Sequence, residues 1–296
     1  MGYMGIVKSE ERIMNVVLTI EQLRNELNVY RLKEQTIGFV PTMGYLHEGH
    51  LSLVEAARKE NDIVVMSIFV NPTQFGPGED YASYPRDSER DIVLAKEAGV
   101  DFIFMPSVEE MYPQKGTIQI VPGAQKNVLC GISRPTHFDG VLTVVLKLLN
   151  IVQPTNVYFG MKDAQQLAII ETFVEDFNVP TIVRRVPTVR EESGLAKSSR
   201  NVNLTTTEHE QASVLYKALS VGKAIFLQTK DLDETETFVK EVIKSSSKGE
   251  IDYVQLLDYP SLQPITEQTT EVLIACAVQF SKARLIDNII FNLKDE

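Results

Sequence analysis

The sequence predicts an α/β fold: a parallel sheet with helices on both faces, followed by a small α+β unit. Three observations predict it. Up to about residue 187, short apolar runs alternate with helical patterns. Some of those runs, such as 63–70, are nearly all apolar, as a strand buried on both faces should be. After residue 203 the order changes to helices followed by adjacent strands.

Residues 37–40 read as a first strand stopped by Pro41, and 48–59 as the helix that follows. Residues 63–70 are almost wholly apolar and predict a buried strand. A helix over 87–98 ends at Gly99, and 100–105 is the next buried strand. Asp139 is placed to cap a helix over 140–152 that Pro154 terminates. A strand at 156–159, a helix at 163–177 and a strand at 181–186 complete the alternation. Helices over 207–228 and 233–245 then precede strand-like runs at 251–258, 271–280 and 284–291. Two domains are expected, 15–187 and 188–296, with the boundary near 187–189.

The chain has 296 residues, 44% of them hydrophobic and 23% charged, which suits packed globular structure rather than disorder. A net charge of -11 argues against a nucleic-acid partner, whose phosphates demand a basic surface, while leaving room for a local basic pocket. The two cysteines, Cys130 and Cys276, lack metal-ligand spacing and are expected as buried free thiols. No apolar run is long enough to span a membrane, and residues 1–14 lack the basic cluster and apolar core of a signal peptide. A cytoplasmic setting is expected, with 1–14 as a loose extension and the fold starting near Asn15.

The most informative stretch is Pro41-Thr42-Met43-Gly44-Tyr45-Leu46-His47-Glu48-Gly49-His50-Leu51, which follows the first strand and opens a helix. A helix start presents free N–H groups and partial positive charge to an anion. His47 and His50 share one side of that turn, and Gly49 lacks a side chain where phosphate oxygens could approach. Donors fixed there can stabilise charge that builds on a reacting phosphate. Taken alone, His-x-x-His is also compatible with two surface histidines at a helix cap, or with zinc.

This stretch resembles the signature of the pantothenate synthetase family, within the HxGH nucleotidyltransferase superfamily that includes class I aminoacyl-tRNA synthetases. Four more segments match in order: 69–76 (Phe-Val-Asn-Pro-Thr-Gln-Phe-Gly), 134–140 (Arg-Pro-Thr-His-Phe-Asp-Gly), 159–166 (Phe-Gly-Met-Lys-Asp-Ala-Gln-Gln), and 189–201 (Val-Arg-Glu-Glu-Ser-Gly-Leu-Ala-Lys-Ser-Ser-Arg-Asn). The resemblance runs from about residue 36 to the C-terminus. It implies a Rossmann-like ATP- and pantoate-binding domain, a small lid domain and a homodimer. It also implies a two-step reaction: pantoate attacks the α-phosphorus of Mg2+-ATP, and β-alanine then displaces AMP from pantoyl adenylate. The product is pantothenate, a precursor of coenzyme A. Other small-molecule nucleotidyltransferases, or a non-catalytic nucleotide sensor, would share the fold.

The resemblance also assigns residues. His47 and His50 meet the α-phosphate, and Lys162 neutralises phosphate charge. Gly160 and Asp163 hold the ribose, with Met43 and Val189 also at ATP. Ser198, Ser199 and Arg200 form a phosphate-gripping loop. Gln74 and Gln166 hold pantoate, and Met43, Val141 and Val145 form the apolar side of its pocket. Asp91 is a candidate Mg2+ ligand. Arg134 and His137 belong to a matching segment without a defined role, Tyr84 is a further position without an assigned role, and Asp163 could equally cap the helix after it. Met161 replaces a residue that is commonly charged in the family, Lys197 stands where methionine is frequent, and Thr73 and Ala164 also depart from the usual form.

Overall fold

The computed structural model describes residues 14–114 and 116–294. The expected loose extension falls, except for Met14, outside the described residues. In chain order the elements are β1 (Asn15–Val17), α1 (Ile20–Arg31), β2 (Ile37–Thr42), α2 (Glu48–Glu60), β3 (Ile63–Ile68), α3 (Ser88–Glu97), β4 (Phe102–Phe104), α4 (Val108–Met111), α5 (Cys130–Ser133), α6 (His137–Val152), β5 (Asn156–Gly160), α7 (Ala164–Asp176), β6 (Ile182–Val186), α8 (Thr206–Ala212), α9 (Val214–Thr229), α10 (Leu232–Ser246), β7 (Glu250–Tyr259), β8 (Glu271–Gln279) and β9 (Arg284–Asn292).

Six strands form one sheet in the order β1-β4-β3-β2-β5-β6, and every pairing in it is parallel. From β2 the chain winds outward through β3 to β4, then returns to place β5 on the other side of β2. The crevice beyond the carboxyl ends of β2 and β5 is therefore a topological switch point, where ligands of such sheets bind. Both faces of the sheet are covered. Leu23 and Leu27 of α1, Leu148 and Leu149 of α6 and Leu167 of α7 pack with Phe39 and Phe102 on one face. Leu53, Val54 and Ala57 of α2 and Ala95 of α3 pack with Val40, Val64 and Ile103 on the other. The apolar runs read from the sequence are thus strands between two helical layers.

The second sheet is antiparallel, in the order β7-β8-β9. Its central strand is buried almost throughout because alternate residues face two different cores. Val272, Ile274, Cys276 and Val278 pack on α9 and α10 residues such as Leu219, Phe226 and Val239. Leu273 and Ala275 face the other way, onto Ala164 and Ala168 of α7. Both cysteines are buried free thiols, as composition and spacing predict.

Several boundaries differ from expectation. The helix foreseen over 140–152 starts at His137, so Asp139 lies inside its first turn rather than capping it, and pairs with Lys126 at 2.9 Å. The helix foreseen over 207–228 is two helices divided at Ser213, the first opened by a reciprocal Thr205–Glu208 capping box. β3 stops at Ile68, and β4 spans only three residues. β1 and α1 are additional elements not expected from the sequence; β1, a three-residue edge strand, carries too little pattern to be read.

Candidate active site

The loop between β2 and α2 is held in place by a carboxylate. Both Asp91 oxygens accept backbone N–H groups at 2.7 Å, one from Tyr45 and one from Leu46. Gly44 makes this contact possible, since it sits at φ +82° and a Cβ there would lie 2.9 Å from Asp91 Oδ2. Asp91 is 1% exposed and does not line the cleft, so the structure does not bring it to the phosphate-side residues as a Mg2+ ligand. Among the described residues there is no group of three or more His, Cys, Asp or Glu side chains placed to hold a metal ion.

So anchored, the loop delivers His47 as the N-cap of α2. His47 Nδ1 accepts the Gly49 N–H at 3.1 Å, and His50 Nδ1 accepts the His47 N–H at 3.3 Å. A Cβ on Gly49 would lie 2.9 Å from His47 Cε1. The glycine therefore makes room for the histidine ring as well as lining the cleft, a use that spacing alone did not reveal. Burial pulls the His47 imidazole down to about 4, with the Lys162 charge as a further cause. Burial pulls His50 down to about 3, helped by His47 and then Lys162. Both rings are neutral at pH 7, and because each Nδ1 accepts, each proton sits on Nε2. The pair is a set of two neutral N–H donors rather than a pair of acids or a metal site.

Lys162 follows β5 in a single 3-10 turn, Met161–Asp163, and lines the same cavity of about 250 Å³ as His47 and His50. Its Nζ is 3.8 Å from Asp163 Oδ1, and the Asp163 side chain makes no capping bond to α7. Met161 packs against the apolar core. Gly160, Asp163 and Val189 line the cavity as well, as do Ser198, Ser199 and Arg200. Arg200 faces Asp80, with Nε 3.1 Å from Oδ2, and its guanidinium lies 5.8 Å above the Tyr84 ring. Burial alone would lower the Arg200 pKa, but the Asp80 carboxylate, together with Tyr84 and Asp163, outweighs it and the charge is held more firmly than usual.

The apolar wall comes from α6, where Val141, Val144, Val145 and Leu148 share one helical face. Met43 and Gln74 lie opposite, with Gln74 Nε2 3.2 Å from Met43 Sδ and Oε1 accepting from Asn71 at 3.2 Å. Gly140 lets α6 approach this turn, since a Cβ there would meet the Thr73 carbonyl at 2.3 Å. His137 Nδ1 lies 2.9 Å from the Gln74 carbonyl oxygen, and Arg134 pairs with Glu79. Gln166 lines the cavity from the start of α7, whereas Gln165 turns away and binds Cys130 N, Gln125 O and Val128 O. A larger adjoining cavity of about 1060 Å³ shares Lys162, Asp163, Gln166, Ser198 and Arg200 and opens toward β8 and β9.

All the assigned residues except Asp91 thus converge. Sequence reasoning missed Asp80 and Glu79, whose role is to face two arginines distant in sequence, and Asn288, which no motif marks. Fold and cleft define the class: an α/β protein whose parallel sheet carries neutral N–H donors and cations at its switch point.

The family model for pantoate-beta-alanine ligase matches residues 15–290, and the chain belongs to that family. It is 57% identical over 282 residues to pantothenate synthetase of Lysinibacillus sphaericus, covering 95% of this chain and 99% of that one. It is 53% identical over 283 residues to that of Bacillus pumilus, covering 95% and 98%. The crystal structure of pantothenate synthetase from Thermus thermophilus is similar at TM-score 0.87 and 46% identity, covering 93% of this chain and 99% of that one. That of pantoate-beta-alanine ligase from Francisella tularensis, complexed with beta-gamma ATP and beta-alanine, is similar at TM-score 0.76 and 39% identity, covering 96% and 99%.

Proposed function

We propose that this chain condenses pantoate with β-alanine at the expense of ATP, through pantoyl adenylate. The observation that carries this reading is the His47–His50 pair, two neutral Nε2–H donors facing a cavity that also holds Lys162 and Gln74. A pantoate carboxylate oxygen forms a bond to the α-phosphorus while the bond to pyrophosphate breaks. Negative charge grows on the phosphate oxygens, where His47, His50 and Lys162 stabilise it. Ser198, Ser199 and Arg200 take the β- and γ-phosphates, and Arg200 exchanges Asp80 for phosphate as ATP enters. Gly160, Asp163, Val189 and Met43 hold the nucleoside.

Gln74 and Gln166 hold pantoate against Val141 and Val145. The β-alanine amine then attacks the acyl carbon, AMP leaves, and the amine loses a proton. No enzyme nucleophile is needed, because the acyl phosphate is already reactive once positioned. Mg2+ enters with the triphosphate, whose oxygens supply its ligands. The unit from residue 188 serves as the lid, and the active form is a cytoplasmic homodimer. The test is to incubate the protein with ATP, pantoate and β-alanine and identify the products. Pantothenate, AMP and pyrophosphate in equal amounts are expected; a stable nucleotidyl product, or none, would overturn the reading.

A further inference from the structure

Two neighbouring residues of β9 hold the two segments that carry the cations of the cleft. Asn288 lies in register with Ala275, on the sheet face turned toward α7. Its Nδ2 donates to the carbonyl oxygens of Lys162 at 2.7 Å and Met161 at 3.0 Å. Asp287 faces the opposite way, as successive strand residues do. Its carboxylate takes both ends of the Arg190 guanidinium, at 2.7 and 2.9 Å, and one of its oxygens accepts the Asn288 N–H at 2.8 Å. Arg190 also lies 3.6 Å over the Tyr216 ring and opens the hairpin that closes at Lys197 and leads into Ser198. Asp287 is 2% exposed and Asn288 7%.

We infer that Asn288 is a positioning residue for adenylation: it fixes the Lys162 turn against β9, in register with the Arg190 hairpin that presents Ser198 and Arg200. The inference rests on the proposed function. A single 3-10 turn has few bonds of its own to fix a lysine. Both Asn288 hydrogens are used on consecutive carbonyls of that turn. An arrangement in which one strand fixes both phosphate-side segments keeps their spacing constant, and charge stabilisation depends on that spacing.

The test is a double-variant cycle on pantoate-dependent exchange of pyrophosphate into ATP, with thermal unfolding measured in parallel. Asn288→Ala should slow exchange about 10- to 100-fold, the scale of a misplaced active-site group. Asn288→Ala added to Lys162→Ala should slow it no further than Lys162→Ala alone, because the asparagine acts through the lysine. If the alanine variant fails to fold, the isosteric Asn288→Asp, which also lacks the two donors, takes its place in the cycle. Multiplicative losses, or an Asn288 variant at wild-type rate, would overturn this inference alone. A wild-type rate in Lys162→Ala would overturn the proposed function with it.

Discussion

His50 Nδ1 accepts the His47 backbone N–H at 3.3 Å, and the two rings stand 4.1 Å apart, centroid to centroid. The helix start is therefore built from the same atoms that fix each ring's tautomer. Replacing either histidine with alanine removes one Nε2–H donor and should lower kcat for adenylation by about 10²–10³. Folded variants with wild-type turnover would remove the pair from the chemistry.

The same burial makes stability depend on pH. The folded values, about 4 for His47 and about 3 for His50, lie below the ordinary 6.5. Between those limits the unfolded chain binds more protons than the folded one. This stability is present above pH 6.5 and is lost as pH falls toward 4 and below. His50→Asn should flatten the decline in urea midpoint measured from pH 7 to pH 4.5; an unchanged decline would contradict the assignment.

Gln74 has its side chain between Met43 and Asn71, and its carbonyl bound by His137. Gln74→Ala keeps the backbone contact and deletes only the amide. A buried substrate hydroxyl or carboxylate left unpaired loses about 1–3 kcal/mol. KM for pantoate should rise about 5- to 150-fold while KM for ATP stays within about twofold. Equal rises would show that Gln74 supports the site as a whole.

Asp91→Ala strands the Tyr45 and Leu46 N–H groups in a buried loop. Each bond to a charged acceptor contributes about 1.5–3 kcal/mol, so the variant should be destabilised by several kcal/mol in denaturant titration. A stable variant that needs more Mg2+ would instead restore the metal role suggested by the sequence.

The parallel sheet was legible because both faces of its strands are covered, so β2, β3 and β5 are mostly apolar runs, with one polar residue each. The cleft was legible where a short motif holds its residues close together, as at His47 and His50, and again in the separate segment around Lys162. Asp91 misled because a carboxylate on a helix gives no local sign of whether it meets a cation or two backbone N–H groups 45 and 46 residues away. Asn288 stayed silent for a related reason. Its partners at Lys162 and Met161 are 126 and 127 residues distant, and an asparagine in a strand has no periodicity that marks it. The break at Ser213 was hidden because no Gly or Pro stands at or beside it to mark an end.

In the proposed reaction, adenylation precedes any involvement of β-alanine. The direct measurement is exchange of labelled pyrophosphate into ATP with pantoate present and β-alanine absent. Exchange that depends on pantoate and is lost in His50→Ala is expected; exchange that begins only when β-alanine is added would rule out adenylation as the first step.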